Sequence, residues 1–319
     1  MKRFNPALGA DGGAYSGIPT YMRQPASREI EDGDVVIIGI PFDSGTISYR
    51  SGSRFGPRRI REASLTIWGY NNALEVDPTE ILSIVDYGDV RVVPMNIDET
   101  MQSITDEVGA ILKADTIVIA LGGDHSITLP LLRAYCKKYG QLSVVHFDAH
   151  TDTEEGRHNH GTSFRCAIEE GLVDTSAYFQ VGIRGSTVES GELQTARDLG
   201  AEIFTIDQCM DLGTEGVTQK IRKIIGKRRA YVSFDIDSVD PAFAPGTGVP
   251  VVGGFSSHQI LRMIRGLVGL NFVGLDVVEV SPPYDPSEIT SILAATLVFE
   301  FLSLLALKRS AKNTILNKT

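Results

Sequence analysis

LSVVHFDAHTD, residues 142–152, begins as an apolar run and ends in Asp148, His150 and Asp152. A strand with Val, Val and Phe at neighbouring positions hides both faces, the pattern of a parallel sheet covered by helices. Ligands of such sheets gather beyond the carboxyl ends of the strands. The acidic and imidazole residues that close this run therefore stand where chemistry is expected. Three further runs repeat the arrangement. AYVSFDID (230–237) ends in Asp235 and Asp237, TIVIALGG (116–123) leads into Asp124 and His125, and NFVGLDVVEV (271–280) reaches Glu279.

Outward from these, VVIIGI (35–40), ILSIVDYG (81–88), YFQVGIRG (178–185) and AEIFTI (201–206) read as the remaining strands. Between the strands apolar residues recur at helical spacing: Met101, Ile104, Val108, Ile111 and Leu112, then Val217, Ile221, Ile224 and Ile225. Ser256 or Ser257 is placed to cap a helix carrying Ile260, Leu261 and Ile264. Strand and helix in alternation predict an α/β fold, doubly wound around a mostly parallel sheet of about eight strands. No linker, repeat or low-complexity tract divides the chain, so residues 1–319 read as one domain, with 1–16 a peripheral N-terminal arm.

Composition narrows the function classes. A 42% hydrophobic, 22% charged chain of 319 residues is globular. A net charge of −10 without a basic run argues against nucleic acid. Three scattered cysteines without a CxxC fit a reducing compartment. With no apolar run behind Met1–Arg3, the expected location is cytoplasmic. Residues 289–307, ITSILAATLVFEFLSLLAL, approach the length of a membrane span. Glu300 near the middle would be costly in a bilayer, so the run is expected to be a core helix, with no membrane partner.

Any one of the acidic motifs alone suits a solvated loop. Together, His125, Asp148, His150, Asp152, Asp235 and Asp237 form a set of two imidazoles and four carboxylates. Crowded carboxylates repel unless a cation neutralises them, and four are too many for one small divalent ion. In an extended segment, residues two apart face one side, which would aim each motif at one spot. Ligation by oxygen and imidazole without thiolate suits two Mn²⁺ ions, with Ni²⁺, Co²⁺ or Zn²⁺ as alternatives. Such a pair makes hydroxide available at neutral pH.

GGDHS (122–126), DAHTD (148–152), HGT (160–162), SFDIDSVDPAFAPGTG (233–248) and EVSPPYD (279–285) resemble the ureohydrolase family of arginase, agmatinase and the guanidino-acid hydrolases. RSGSRFGPRRIR (50–61) and GIPT (17–20) are similar to the agmatinase branch. The resemblance implies a three-layer αβα arginase-type fold, two Mn²⁺ ions and a homo-oligomer, trimer or hexamer. It assigns His125, Asp148, Asp152 and Asp235 to one ion. Asp148, His150, Asp235 and Asp237 go to the other, with Asp148 and Asp235 bridging. It gives His160 to proton transfer toward the leaving amine and Glu279 to the guanidinium. These roles are chemically sound: a carboxylate holds a planar guanidinium through paired hydrogen bonds, and Asp152 and His160 can relay protons.

Substrate choice is expected to lie in TEEGRHN (153–159), between Asp152 and His160. Glu154 and Glu155 suit an ammonium tail; Arg157 suits a carboxylate tail. Ser163 and Arg184 are further wall candidates. Agmatine, cleaved to putrescine and urea, is the first expectation. Guanidino acids such as 4-guanidinobutyrate, 3-guanidinopropionate or a proclavaminate-type compound come second, and guanidine or an alkylguanidine third. A non-catalytic family subunit and a dinuclear deacetylase-type hydrolase are the rival classes. His146 reads as a core histidine alternating in facing with Asp148. His258 reads as surface, Cys166 as a buried thiol, Trp68 and Tyr70 as core or interface, and Asp124 as a loop-orienting group.

Overall fold

The apolar runs become strands: β1 (Val35–Gly39), β2 (Ile84–Asp89), β3 (Ile117–Leu121), β4 (Leu142–Phe147), β5 (Val173–Ile183), β6 (Glu202–Thr205), β7 (Arg229–Asp235) and β8 (Asn271–Val278). They form one sheet in the order β2-β1-β3-β8-β7-β4-β5-β6, and every pairing is parallel. The computed structural model describes residues 16–30 and 33–316. All but Ser16 of the expected peripheral arm lies outside the described residues.

The helices, in chain order, are α1 (Gly56–Ser64), α2 (Pro78–Ile81), α3 (Ile97–Leu112), α4 (Thr128–Tyr139), α5 (Ser163–Glu169), α6 (Glu192–Asp198), α7 (Ile206–Ile225), α8 (Ser257–Gly266) and α9 (Ile289–Leu316). Strand side chains alternate between two separate cores, as the pleat requires. Val35, Ile37, Ile119 and Leu121 pack with residues of α1, α7, α8 and α9. Val36, Ile38, Val118 and Ala120 pack with residues of α3, α4, α5 and α6. This is a three-layer αβα arrangement. Ser256 caps α8, its hydroxyl accepting the Gln259 N–H while the Gln259 side chain returns to the Ser256 backbone.

The run at 289–307 lies within α9. Among the described residues one helix, Pro286–Ala311, is long and apolar enough to cross a membrane, and 83% of its most apolar window is buried. Glu300 is buried there, paired with Arg265 of α8 and hydrogen-bonded by Asn71 Nδ2 at 3.1 Å. The polar residue in the apolar run thus joins α9 to its neighbours.

Three expectations change. β5 begins at Val173, five residues before the apolar YFQVGI run, because parallel pairing of Leu142 with Val173 extends it. Of the two placements expected for Trp68 and Tyr70, core or interface, the core is excluded: they are 75% and 55% exposed. His146 does not alternate with Asp148: residues two apart on a strand share a face, and the His146 ring lies against Asp148.

Candidate active site

The four strands whose ends carry the charged residues, β3, β8, β7 and β4, are adjacent at the centre of the sheet. Crossovers on one side lead from β1 to β3 and on the other from β4 to β6. The centre is thus a switch in strand order, where α/β sheets open a crevice.

The chain turns at each strand end. Asp124 starts a 3-10 turn, His125–Ile127, by accepting the Ser126 N–H at 3.0 Å. Its other oxygen accepts the Gly45 N–H at 2.8 Å, which ties down the loop after β1. A Cβ at Gly123 would lie 1.9 Å from the Phe42 carbonyl oxygen, so only glycine lets these two loops meet. Asp235 likewise caps a turn, accepting the Asp237 N–H at 2.8 Å. Asp152 has φ 49° and Glu279 has φ 62°, left-handed values that a non-glycine residue holds only when its surroundings enforce them. The carboxylates therefore converge through turns beyond the strands, and the expected extended segments are not what aims them.

His125 stands at the centre of one cluster. Its Nδ1 is 3.1 Å from Asp148 Oδ2, 2.9 Å from Asp152 Oδ2 and 3.2 Å from Asp235 Oδ2. The tautomer follows from the far side of the ring. Asp276 Oδ1 accepts from Ser233 at 2.7 Å, so the Ser233 oxygen accepts Nε2–H of His125 at 2.8 Å. Tyr231 and Thr128 donate to the second Asp276 oxygen at 2.7 and 3.0 Å. Nδ1 is left as a buried lone pair with no hydrogen-bond partner, facing three acceptor oxygens. A donor set of this kind fits a cation. The electrostatics agree: burial opposes a charged His125 ring, but Asp152, Asp148 and Asp235 together hold its pKa well above the ordinary histidine value.

The second cluster adjoins the first. His150 Nδ1 lies 3.1 Å from Asp237 Oδ2 and 3.3 Å from Asp148 Oδ1. Asp148 thus faces both imidazoles, one oxygen toward each. The described contacts place Asp235 in the first cluster, beside His125. Burial, then the charges of Asp237 and Asp148, push Asp235 well above the usual carboxylate range. His125, Asp148 and Asp152, with His146, form one group able to hold a metal ion; Asp148, His150 and Asp237 form another.

His160 and Glu279 meet beside these clusters. His160 Nδ1 is 3.0 Å from Glu279 Oε1, which also accepts the His125 backbone N–H at 2.9 Å. Burial works against a charged His160 ring. The hydrogen bond and charge of Glu279, with Asp152 and Asp124, outweigh it and move its pKa up to about 9. Nε2 meanwhile accepts the Ile47 N–H at 3.2 Å, a bond open only to the neutral ring.

A cavity of about 600 Å³ opens over both clusters. His150, Asp152, His160, Asp235, Asp237, Glu279 and Glu154 all line it. Glu154 lies over the backbone of Gly161, where a Cβ would stand 2.9 Å from its carboxyl carbon. Burial, then the charges of Asp152 and Glu192, raise the Glu154 pKa. The other loop candidates lie elsewhere. Arg157 and Glu155 are exposed and outside the lining, and Glu155 pairs with Arg165 at 3.3 Å. Ser163 is buried and donates to the His125 carbonyl at 3.0 Å. Arg184 spends its guanidinium on backbone carbonyls, including those of Val251 and Asp237 at 2.7 Å each. His258 is exposed; Cys166 is partly buried and does not line the cavity.

The sequence reading missed part of the wall: Ile47 and Ser48 after β1, Ser186–Val188 and Glu192 after β5, and Val249–Val252. The first two groups follow carboxyl ends of strands, a signal available in advance. Glu192 is positioned by Thr151 Oγ1 at 2.9 Å and the Val188 N–H at 3.2 Å.

Known proteins share this architecture. Proclavaminate amidinohydrolase of Streptomyces clavuligerus is 44% identical over 90% of this chain and 93% of its own. Its solved structure superposes with a TM-score of 0.88, covering 92% of this chain and 98% of that one, at 43% identity. Guanidinopropionase of Pseudomonas aeruginosa is 41% identical over 92% of this chain and 93% of its own. Agmatinase of Escherichia coli is 40% identical over 94% of this chain and 97% of its own. Residues 33–303 match the arginase family. The chain belongs to that family, hydrolases acting on guanidino C–N bonds.

Proposed function

We propose that this protein hydrolyses agmatine to putrescine and urea, using two Mn²⁺ ions. The observation that carries the substrate is the cavity lining. Glu154 and Glu192 face the space beyond the metal-ligand residues, and no Lys or Arg is among the described lining residues. Such a wall attracts an ammonium tail and offers a carboxylate tail no cationic partner.

Asp148, Asp152, His125 and Asp235 would hold one ion, and Asp148, His150 and Asp237 the other. The pair supplies a lowered water pKa and a positive field at the guanidinium carbon. The chain's own residues do the rest. Glu279 Oε1 is occupied by His125 and His160, while no donor among the described residues reaches Oε2, which is left for the guanidinium. Asp152 accepts a proton. His160, near pKa 9, delivers one toward the leaving amine. The same reading includes a cytoplasmic homotrimer or homohexamer, to be checked by light scattering.

A guanidino-acid substrate is the second reading. It is favoured by similarity to proclavaminate amidinohydrolase and guanidinopropionase at 44% and 41% identity. The experiment is urea release by the Mn²⁺-loaded protein from agmatine, arginine, 3-guanidinopropionate, 4-guanidinobutyrate and guanidine. The highest kcat/KM on agmatine supports the proposal. A guanidino acid in first place overturns the substrate, and no urea from any compound overturns the activity.

A further inference from the structure

We propose that His146 is a positioning residue: it fixes the Asp148 carboxylate as the bridge between the two cation sites. The inference rests on the two-ion reading above and concerns a residue that lies outside the cavity lining.

The argument starts from the lone pairs of one carboxylate. Each Asp148 oxygen can accept two partners. Oδ1 accepts the His150 backbone N–H at 2.6 Å and faces His150 Nδ1 at 3.3 Å. Oδ2 lies 2.7 Å from His146 Nε2 and 3.1 Å from His125 Nδ1. One N–H donor therefore occupies each oxygen, and each keeps one lone pair turned toward a different cluster. Backbone geometry guarantees the donor on Oδ1. The donor on Oδ2 depends on His146 alone among the described contacts.

The His146 ring is itself held with its proton on the correct nitrogen. A carboxylate only accepts, so Nε2 carries the hydrogen. Nδ1 then accepts a hydrogen bond from the Tyr178 hydroxyl at 3.4 Å. The Tyr178 oxygen accepts Nε2–H of Gln180 at 2.8 Å, and Gln180 also donates to the Thr151 carbonyl at 2.6 Å. Phe164 stacks on the imidazole, with ring centroids 3.9 Å apart and planes 22° apart. The residue is fully buried. Tyr178 runs parallel to the same imidazole with centroids 6.5 Å apart, so the ring has mostly aromatic neighbours. Burying an imidazole there is useful for the hydrogen bond it makes. Outer groups of this kind orient a metal ligand and tune its basicity.

The test is Mn²⁺ titration by calorimetry of metal-stripped wild type, His146→Phe and His146→Gln, together with the melting temperature of each metal-free protein. Phenylalanine keeps the stack and loses the donor; glutamine keeps an N–H donor. The expected result for His146→Phe is a metal-free melting temperature near wild type, with affinity at one of two Mn²⁺ sites weakened about 10- to 100-fold. His146→Gln is expected to recover most of that affinity. Two Mn²⁺ ions bound by His146→Phe with wild-type affinity overturn the role of His146 and leave the two-ion reading standing. Equal loss of melting temperature and affinity in both variants also overturns it, because packing alone would then explain the residue. A wild type that binds no Mn²⁺ overturns the two-ion reading itself.

Discussion

His160 Nδ1 lies 3.0 Å from Glu279 Oε1, so the group proposed to deliver a proton and the group proposed to hold the guanidinium share one hydrogen bond. Neither side chain acts independently. The carboxylate raises the affinity of the ring for a proton, and the ring occupies one of the two carboxylate oxygens.

This pair has a signature in the metal-free protein. The folded pKa of His160, about 9, lies above its unfolded value of about 6.5. Its contribution to stability is full below pH ~6.5, declines as pH rises, and is lost above about 9. Glu279→Gln removes the main cause of the rise, so stability should fall less steeply between those limits than in wild type. Urea denaturation at a series of pH values measures the slope. Identical slopes would show that Glu279 does not set the His160 proton.

Asp148→Asn should bind fewer than two Mn²⁺ ions and lose nearly all activity, since one substitution removes charge facing both His125 and His150. Asp235→Asn should weaken the His125 cluster, where Asp235 Oδ2 lies 3.2 Å from Nδ1. Metal analysis after gel filtration, with urea release in parallel, checks both. Two tightly bound ions in Asp148→Asn contradict the shared carboxylate.

For the substrate tail, Glu154→Gln should lower kcat/KM on agmatine about tenfold to a hundredfold, the range for a hydrogen bond to a charged group. Arg157→Ala should change it by no more than about twofold, as for an exposed residue away from the site. A large loss in Arg157→Ala and none in Glu154→Gln would favour a substrate ending in a carboxylate.

Arg265→Ala leaves Glu300 buried with Asn71 as its remaining side-chain amide donor. The expected loss is about 2 kcal/mol, below the figure for a wholly buried pair because the Arg265 side chain is 28% exposed. Chemical denaturation gives the value directly. No loss would mean that the α8–α9 pairing contributes nothing to stability.

Much of this was legible in local sequence. Apolar runs such as LSVVHF and AYVSF need both faces covered, and their alternation with helical patterns points to parallel strands between helices. The residues that end the runs are then at the carboxyl edge by chain connectivity alone. Hence His125, Asp148, Asp235 and Glu279 could be placed at one edge before any contact was known. The capping of α8 by Ser256 is equally local.

Tertiary structure decided the rest. β3 and β4 are separated in the sheet by β8 and β7, whose sequences lie far downstream. Strand order depends on long-range packing of the crossovers, which no local pattern reports. It brings His125 onto Asp235 across 110 positions of sequence. The Gly45 N–H on Asp124, the His160 bond to Glu279 and the approach of His150 to Asp237 arise where separate segments press on one another. A charged residue in a loop has the same composition whether it faces a cavity, as Glu154 does, or solvent, as Arg157 does. Only the path of the packed backbone distinguishes them.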